Sequence, residues 1–176
     1  MIIFGIDPGT AATGYGVIKV INNSVSWVDS GVLITDSTSP LCERLKLIYD
    51  GLCEKLFLYA PQRVCIEKAF YGKNIHTTLV LGHARGVAML AAAKHGAQVS
   101  EYAPREIKKS VTGNGNADKV QVQYMVKMLL SPPSTHTRSD AYDALAIALC
   151  EFHCSKFKQL LPLSVKKKTT TVEVSK

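Results

Sequence analysis

Four carboxylates stand where chemistry is possible. Asp7 closes the apolar run "IIFGID", Glu67 closes "RVCIE", and Asp140 and Asp143 lie three apart in "DAYDALAIALCEF". Residues three apart on a helix project from one side, and ligands of α/β sheets gather at the carboxyl ends of strands. Each acid alone has an ordinary explanation. Asp7 suits a turn, Glu67 an exposed strand end or an ion pair, and the two aspartates the positive end of a helix dipole. As a set, in a chain otherwise poor in acids through its basic middle, four clustered carboxylates repel one another. Magnesium or manganese would neutralise them, because these hard ions take carboxylate oxygens and leave room for phosphate oxygens. Two such ions about 4 Å apart can activate a water and stabilise the leaving oxygen of a phosphodiester.

The elements that must position these acids are readable from periodicity and turn chemistry. Residues 2–6 and 14–21 read as two strands of a hairpin joined by "PGTAAT", and a third strand, 26–35, follows the polar "NNS" turn. Leu41, Leu45, Ile48, Leu52, Leu56 and Tyr59 then form a helical stripe, which Pro61 ends. "RVCIE" reads as a short buried strand, "FYGKNIHTT" as a loop, and "TLVLGHARGVAMLAAAKHG" as a helix closed by Gly96. "AQVSEYA" is a further strand before a helix that starts at Pro104. "TGNGN" reads as a mobile loop, after which Asn116 or Asp118 caps a helix to about Leu130. The last helix runs from Asp140 to about Phe152, with Ala141, Leu145, Ala148, Leu149 and Phe152 as its core stripe. Three meandering strands followed by strands alternating with helices define an α/β layer fold.

At 176 residues and 47% hydrophobic, the chain suits one domain with its own core. The domain is expected over residues 1–154, with a basic tail over 155–176. No apolar run reaches the length of a membrane span, and the N-terminus lacks the pattern of a signal peptide, so a cytoplasmic protein is expected. The five cysteines are odd in number and form no CxxC pair, which argues against a disulfide framework and a zinc knuckle. Cys150, His153 and Cys154 share one helix without a second ligand pair and are read as structural. The net charge of +7 is uneven. Residues 1–60 hold 4 basic and 6 acidic side chains, residues 61–154 hold 11 and 7, and the tail holds 6 and 1. The excess within the domain points to a polyanionic partner.

Five stretches, "GIDPGTAATGYGV", "IEKAF", "KN" with the following "LGHARGVAMLAAA", "YAPREIKKSVTGNGNADKVQVQYMV" and "DAYDALAIA", carry a resemblance over about residues 1–154. In order and spacing the chain resembles the RuvC family of Holliday-junction resolvases, within the ribonuclease H-like superfamily. The resemblance implies a mixed five-stranded sheet, strands 1 to 3 antiparallel and the rest parallel, flanked by helices on both faces. It places the four catalytic, metal-holding acids on Asp7, Glu67, Asp140 and Asp143, with magnesium as cofactor, two ions per site, and manganese able to substitute. Some members carry histidine at one of the two helix positions, where this chain has aspartate at both.

The resemblance also puts Lys108 and Lys119 near the scissile backbone, with Lys109, Arg105 and Lys127 close by. Lys119 has support of its own, since the first turn of a helix offers unpaired amides to phosphate. Phe70, in a loop with Tyr71, Lys73 and Asn74, would act at the junction centre, where an aromatic can stack on an opened base. The helix with Gly82 and Gly86 would contribute to a twofold dimer, although those glycines equally suit packing on the helix's own sheet. The implied function is paired, symmetric incision of four-way DNA junctions by a homodimer, leaving 5′-phosphate and 3′-hydroxyl ends, in partnership with RuvA and RuvB. Three alternatives are a related nuclease acting on other branched DNA or RNA, an actin-like ATPase, for which the chain is short, and a non-catalytic DNA-binding module.

Overall fold

The computed structural model describes residues 1–68, 75–133 and 138–160. In chain order the elements are β1 (Ile2–Asp7), β2 (Ala12–Ile21), β3 (Ser24–Ile34), α1 (Leu41–Tyr59), β4 (Arg63–Glu67), α2 (Ile75–Lys94), β5 (Gln98–Tyr102), α3 (Pro104–Thr112), α4 (Lys119–Leu130) and α5 (Ser139–Leu160). The strands form one sheet in the order β3-β2-β1-β4-β5. β1 pairs antiparallel with β2 and β2 with β3, whereas β1 with β4 and β4 with β5 are parallel. This is the mixed sheet implied by the ribonuclease H-like resemblance.

The period-two alternation of strands sorts the sheet into two faces. Phe4, Ile6, Tyr15, Val17, Val64 and Ile66 pack with Ile48, Leu52 and Leu56 of α1 and with Ala88, Ala91 and Ala92 of α2. On the other face Ile3, Ile18, Cys65 and Tyr102 meet α3, α4 and α5. Counting two from Ile3 and Gly5 brings Asp7 to this second face, and counting two from Cys65 brings Glu67 there. Both acids therefore point to the side that α5 covers.

α5 lies unusually close to the sheet, and glycines permit it. A Cβ on Gly5 would fall on the Ala144 carbonyl oxygen, and one on Gly14 would fall on the carbonyl oxygen of Asp140. Gly14 and Gly16 lie within β2, in the strand expected over 14–21, opposite the helix. The hairpin turn itself is residues 8–11. Between Ala141 and Phe152 every α5 residue except Asp143 is buried, including Glu151. The Glu151 carboxylate accepts from Arg63 Nη1 at 2.5 Å and from the Tyr102 hydroxyl at 2.7 Å, joining α5 to β4 and β5.

Some boundaries differ from those expected. α5 continues to Leu160 instead of ending near Phe152, and Ser155 on this added stretch is still buried. α2 starts at Ile75, so residues 75–78, expected in a loop, are helical. Ile75, His76 and Thr77 are exposed, and hydrophobic periodicity marks only the packed part of a helix. The loop from Gly113 to Asp118 is laced by hydrogen bonds, not open: Asn114 N donates to Thr112 Oγ1 and Asn116 N to Asn114 Oδ1. No helix among the described residues is long and apolar enough to cross a membrane.

Candidate active site

Asp7 and Glu67 sit at the carboxyl ends of the adjacent strands β1 and β4, as their alternation requires. Asp143 comes from the first turns of α5 and Lys119 from the first turn of α4. With Lys108 of α3 they line a cleft of about 230 Å³, walled by Pro104, Ile107, Val122, Ala146 and Ile147. Asp140 does not line this cleft. It lies one turn before Asp143, above Gly14, and is close enough to act electrostatically on Asp7 and Asp143.

Burial and mutual repulsion dominate the electrostatics. Asp7 is pushed up to about 8, first by burial and then by the charges of Glu67, Asp143 and Asp140. Glu67 is raised by burial and by Asp143, against the pull of a hydrogen bond with Asp7 and of Lys108 and Lys119. Asp143 is also raised, chiefly by burial, although Lys119 Nζ lies only 2.6 Å from its Oδ2. That hydrogen bond to Asp143 raises Lys119 in turn. A partly buried acid cluster with strained protonation is characteristic of functional sites.

The donor set suits a hard divalent ion, because every candidate ligand is a carboxylate oxygen and Lys108 and Lys119 offset only part of the charge of four acids. Among the described residues, however, no three carboxylate, imidazole or thiolate groups converge on one point as a ready-made ion cage. Asp7 and Glu67 share a hydrogen bond, and Asp143 is held by Lys119. A metal at Asp143 would share that carboxylate with the lysine or displace it.

The other expected site residues are placed less uniformly. Arg105 is exposed and packs its chain against the backbone side of Gly115, and Lys109 is exposed outside the cleft. Lys127 lies over the Tyr142 ring, 5.2 Å from its centre. Asp118 is the α4 cap: its Oδ1 accepts from Gln121 N at 2.8 Å, which spends its charge on the helix end. Phe70, Tyr71, Lys73 and Asn74 lie outside the described residues. Gly82 and Gly86 are exposed with open space beside them, so they do not serve packing on the sheet. Cys150 is buried, its thiol pushed up to about 12 by burial, in keeping with a structural residue.

Sequence reasoning passed over the cleft walls Ile107, Val122, Ala146 and Ile147, since an apolar period does not separate a cavity wall from a core. It also passed over two exposed cations beside the acids. Lys68 follows Glu67 directly, and Arg138 stands one residue before α5. Their adjacency to the acids in the chain was the available signal.

A family profile described as "Crossover junction endodeoxyribonuclease RuvC" matches residues 3–151. The chain belongs to the RuvC family. The crossover junction endodeoxyribonuclease RuvC of Syntrophotalea carbinolica is 49% identical over 161 residues, which covers 92% of this chain and 99% of that one. The RuvC of Legionella pneumophila strain Corby is 49% identical over 152 residues, 86% of this chain and 87% of its own. Among solved structures, T. thermophilus RuvC in complex with Holliday junction substrate aligns with a TM-score of 0.83 at 30% identity, covering 90% of this chain and 96% of that chain. The RuvC match spans β1 to α5 and therefore every element that supplies an acid to the cleft.

Proposed function

We propose that this chain is an endonuclease that binds four-way DNA junctions as a homodimer and resolves them by paired symmetric incisions, leaving 5′-phosphate and 3′-hydroxyl ends. The observation that carries the proposal is the convergence of acids from β1, β4 and α5 on one cleft that Lys108 and Lys119 also line, in a chain of the RuvC family. Magnesium, or manganese in its place, held as two ions by Asp7, Glu67, Asp140 and Asp143, would supply Lewis-acid activation of water and stabilisation of the leaving oxygen.

The chain's own groups do the remainder. Asp7 and Glu67, on adjacent strands, would hold the ions in place. Lys119 leaves Asp143 as phosphate arrives, exchanging a carboxylate partner for a phosphate one at a helix N-terminus. Lys108 lines the same cleft and neutralises charge beside Glu67. Arg105 and Lys109 extend the basic surface away from the acids, and by resemblance Phe70, Tyr71, Lys73 and Asn74 engage the junction centre. The outward α2 stripe of Leu79, Gly82, Gly86 and Leu90 supports a self-complementary twofold contact, which suits a substrate with two matching strands to cut. Cooperation with RuvA and RuvB in a bacterial cytoplasm rests on the family resemblance.

The test is cleavage of a labelled four-way junction against matched linear duplex, with magnesium or chelator, by the native chain and Asp7→Asn. Symmetric, magnesium-dependent nicks confined to the junction and absent from the variant are expected. Junction binding without incision by folded native protein would move the reading to a non-catalytic DNA-binding module.

A further inference from the structure

A second concavity lies on the other side of the α4 first turn from the catalytic cleft. Its volume is about 400 Å³, and its lining is Thr112, Asn114, Ala117, Val120, Gln121, Tyr124 and Met125. The catalytic cleft takes Lys119 and Val122 from the same turn, so the two cavities share one wall. Tyr124 is 61% exposed and Val120 is 75% exposed, an apolar and aromatic surface left open in a basic region. From Pro104 to Leu130 the chain carries five basic side chains and only Glu106 and Asp118 as acids.

The polar groups of this pocket are committed in one sense. Asn114 Oδ1 accepts from Asn116 N at 3.0 Å, and Gln121 Oε1 accepts from Asp118 N at 3.0 Å. With each carbonyl oxygen fixed by a backbone amide, the side-chain NH2 is the donor that each residue offers a ligand. A ring that stacks, an apolar floor and two amide donors match a nucleobase bearing carbonyl acceptors. The neighbouring Lys119, beside the α4 N-terminus, matches the phosphate of the same strand.

We infer that this pocket is a nucleobase subsite: a carbonyl-bearing base of the bound DNA, near the phosphate engaged by Lys119, stacks on Tyr124 and receives hydrogen bonds from Asn114 and Gln121. The inference rests on the DNA-junction reading above and deepens it. A strand crossing the α4 N-terminus then has one phosphate in the catalytic cleft and a nearby base held on the far side of the helix, which fixes its register against the acids. Both amides are already oriented by the α3–α4 loop, so little ordering is needed when the base enters.

The test is binding by fluorescence anisotropy in chelator, using the native chain, Tyr124→Ala and Tyr124→Phe, on labelled intact four-way junctions, on matched linear duplex and on a junction series with one abasic site walked outward from the crossover. Tyr124→Ala is expected to weaken binding about tenfold and Tyr124→Phe by less than about twofold, since the ring face is what stacks. At one position an abasic site should cost the native chain about the same factor and cost Tyr124→Ala nothing further. Equal binding by Tyr124→Ala, or a loss that no abasic position reproduces, overturns the subsite while junction selectivity of the native chain keeps the functional reading. A native chain with no preference for junction over duplex overturns both.

Discussion

The two faces of the sheet use small residues in opposite ways. On the α5 face, Gly5, Gly14 and Gly16 face inward and let a helix backbone descend almost onto the strands. On the α1–α2 face, Phe4, Ile6, Val17 and Ile66 fill the space with hydrocarbon, and the glycines Gly82 and Gly86 face outward. The first face spends side-chain volume to bring Asp140 and Asp143 within electrostatic reach of Asp7. The second is an ordinary packed layer whose outer surface is left smooth. Proximity of like charges here is a backbone property, imposed by what the strands lack.

The largest effects are expected at the charges themselves. Asp7→Asn is expected to lower cleavage by more than about a hundredfold while junction binding in chelator stays within about threefold, because it removes a ligand charge and keeps the size. Paired nicking and binding assays check this. Next is Gly14→Ala, whose methyl would meet the Asp140 carbonyl. A loss of about 3 kcal/mol in denaturant unfolding is expected, at the upper end of overpacking costs. An unchanged midpoint would show that α5 can ride higher without penalty.

Lys119→Ala is expected to slow cleavage about tenfold and to move thermal stability little. Its ion pair with Asp143 is more than half exposed on the lysine side, and such pairs contribute under about 1 kcal/mol. A pH effect follows from protonation. The Asp7 carboxyl lies at about 8 in the fold against an ordinary 3.8, so its protonated form is the one that the fold favours. That contribution is fully present below about pH 4 and is lost as pH rises through 8. Metal-free protein should therefore lose more Tm between pH 6 and pH 8.5 than Asp7→Asn does, as differential scanning fluorimetry would show. The smallest effect belongs to the opposite face. Gly86→Ala should raise stability by up to about 1 kcal/mol, since the added methyl meets open space and helix propensity improves.

Much of this architecture was legible in the chain, for reasons that can be named. Strand ends were marked by Asp7 and Glu67 interrupting apolar runs, and the α5 stripe from Ala141 to Phe152 is buried as its period predicts. Of the expected acids, Asp7, Glu67 and Asp143 come together in one cleft and Asp140 stands beside them. The glycines were harder to read, because a residue with no side chain signals a turn and a close approach equally well, and only the position of α5 separates the two for Gly14. The hold of Lys119 on Asp143 was equally hidden, since it depends on how α4 crosses α5 and not on spacing. Pocket walls such as Ile107 and Val122 look like core from the chain alone.

The approach of α5 to Gly5, Gly14 and Gly16 has a consequence for how the protein is made. The strands that receive the helix emerge first from the ribosome, and the helix that completes the acid cluster emerges last. Until residues beyond Asp143 are available, β1 and β2 present an uncovered trough and Asp7 has no neighbours on α5. Contacts between the two ends of a chain form slowly, and the incomplete chain exposes apolar surface in the meantime. A chain that stops before α5 lacks Asp140 and Asp143, half of the four acids.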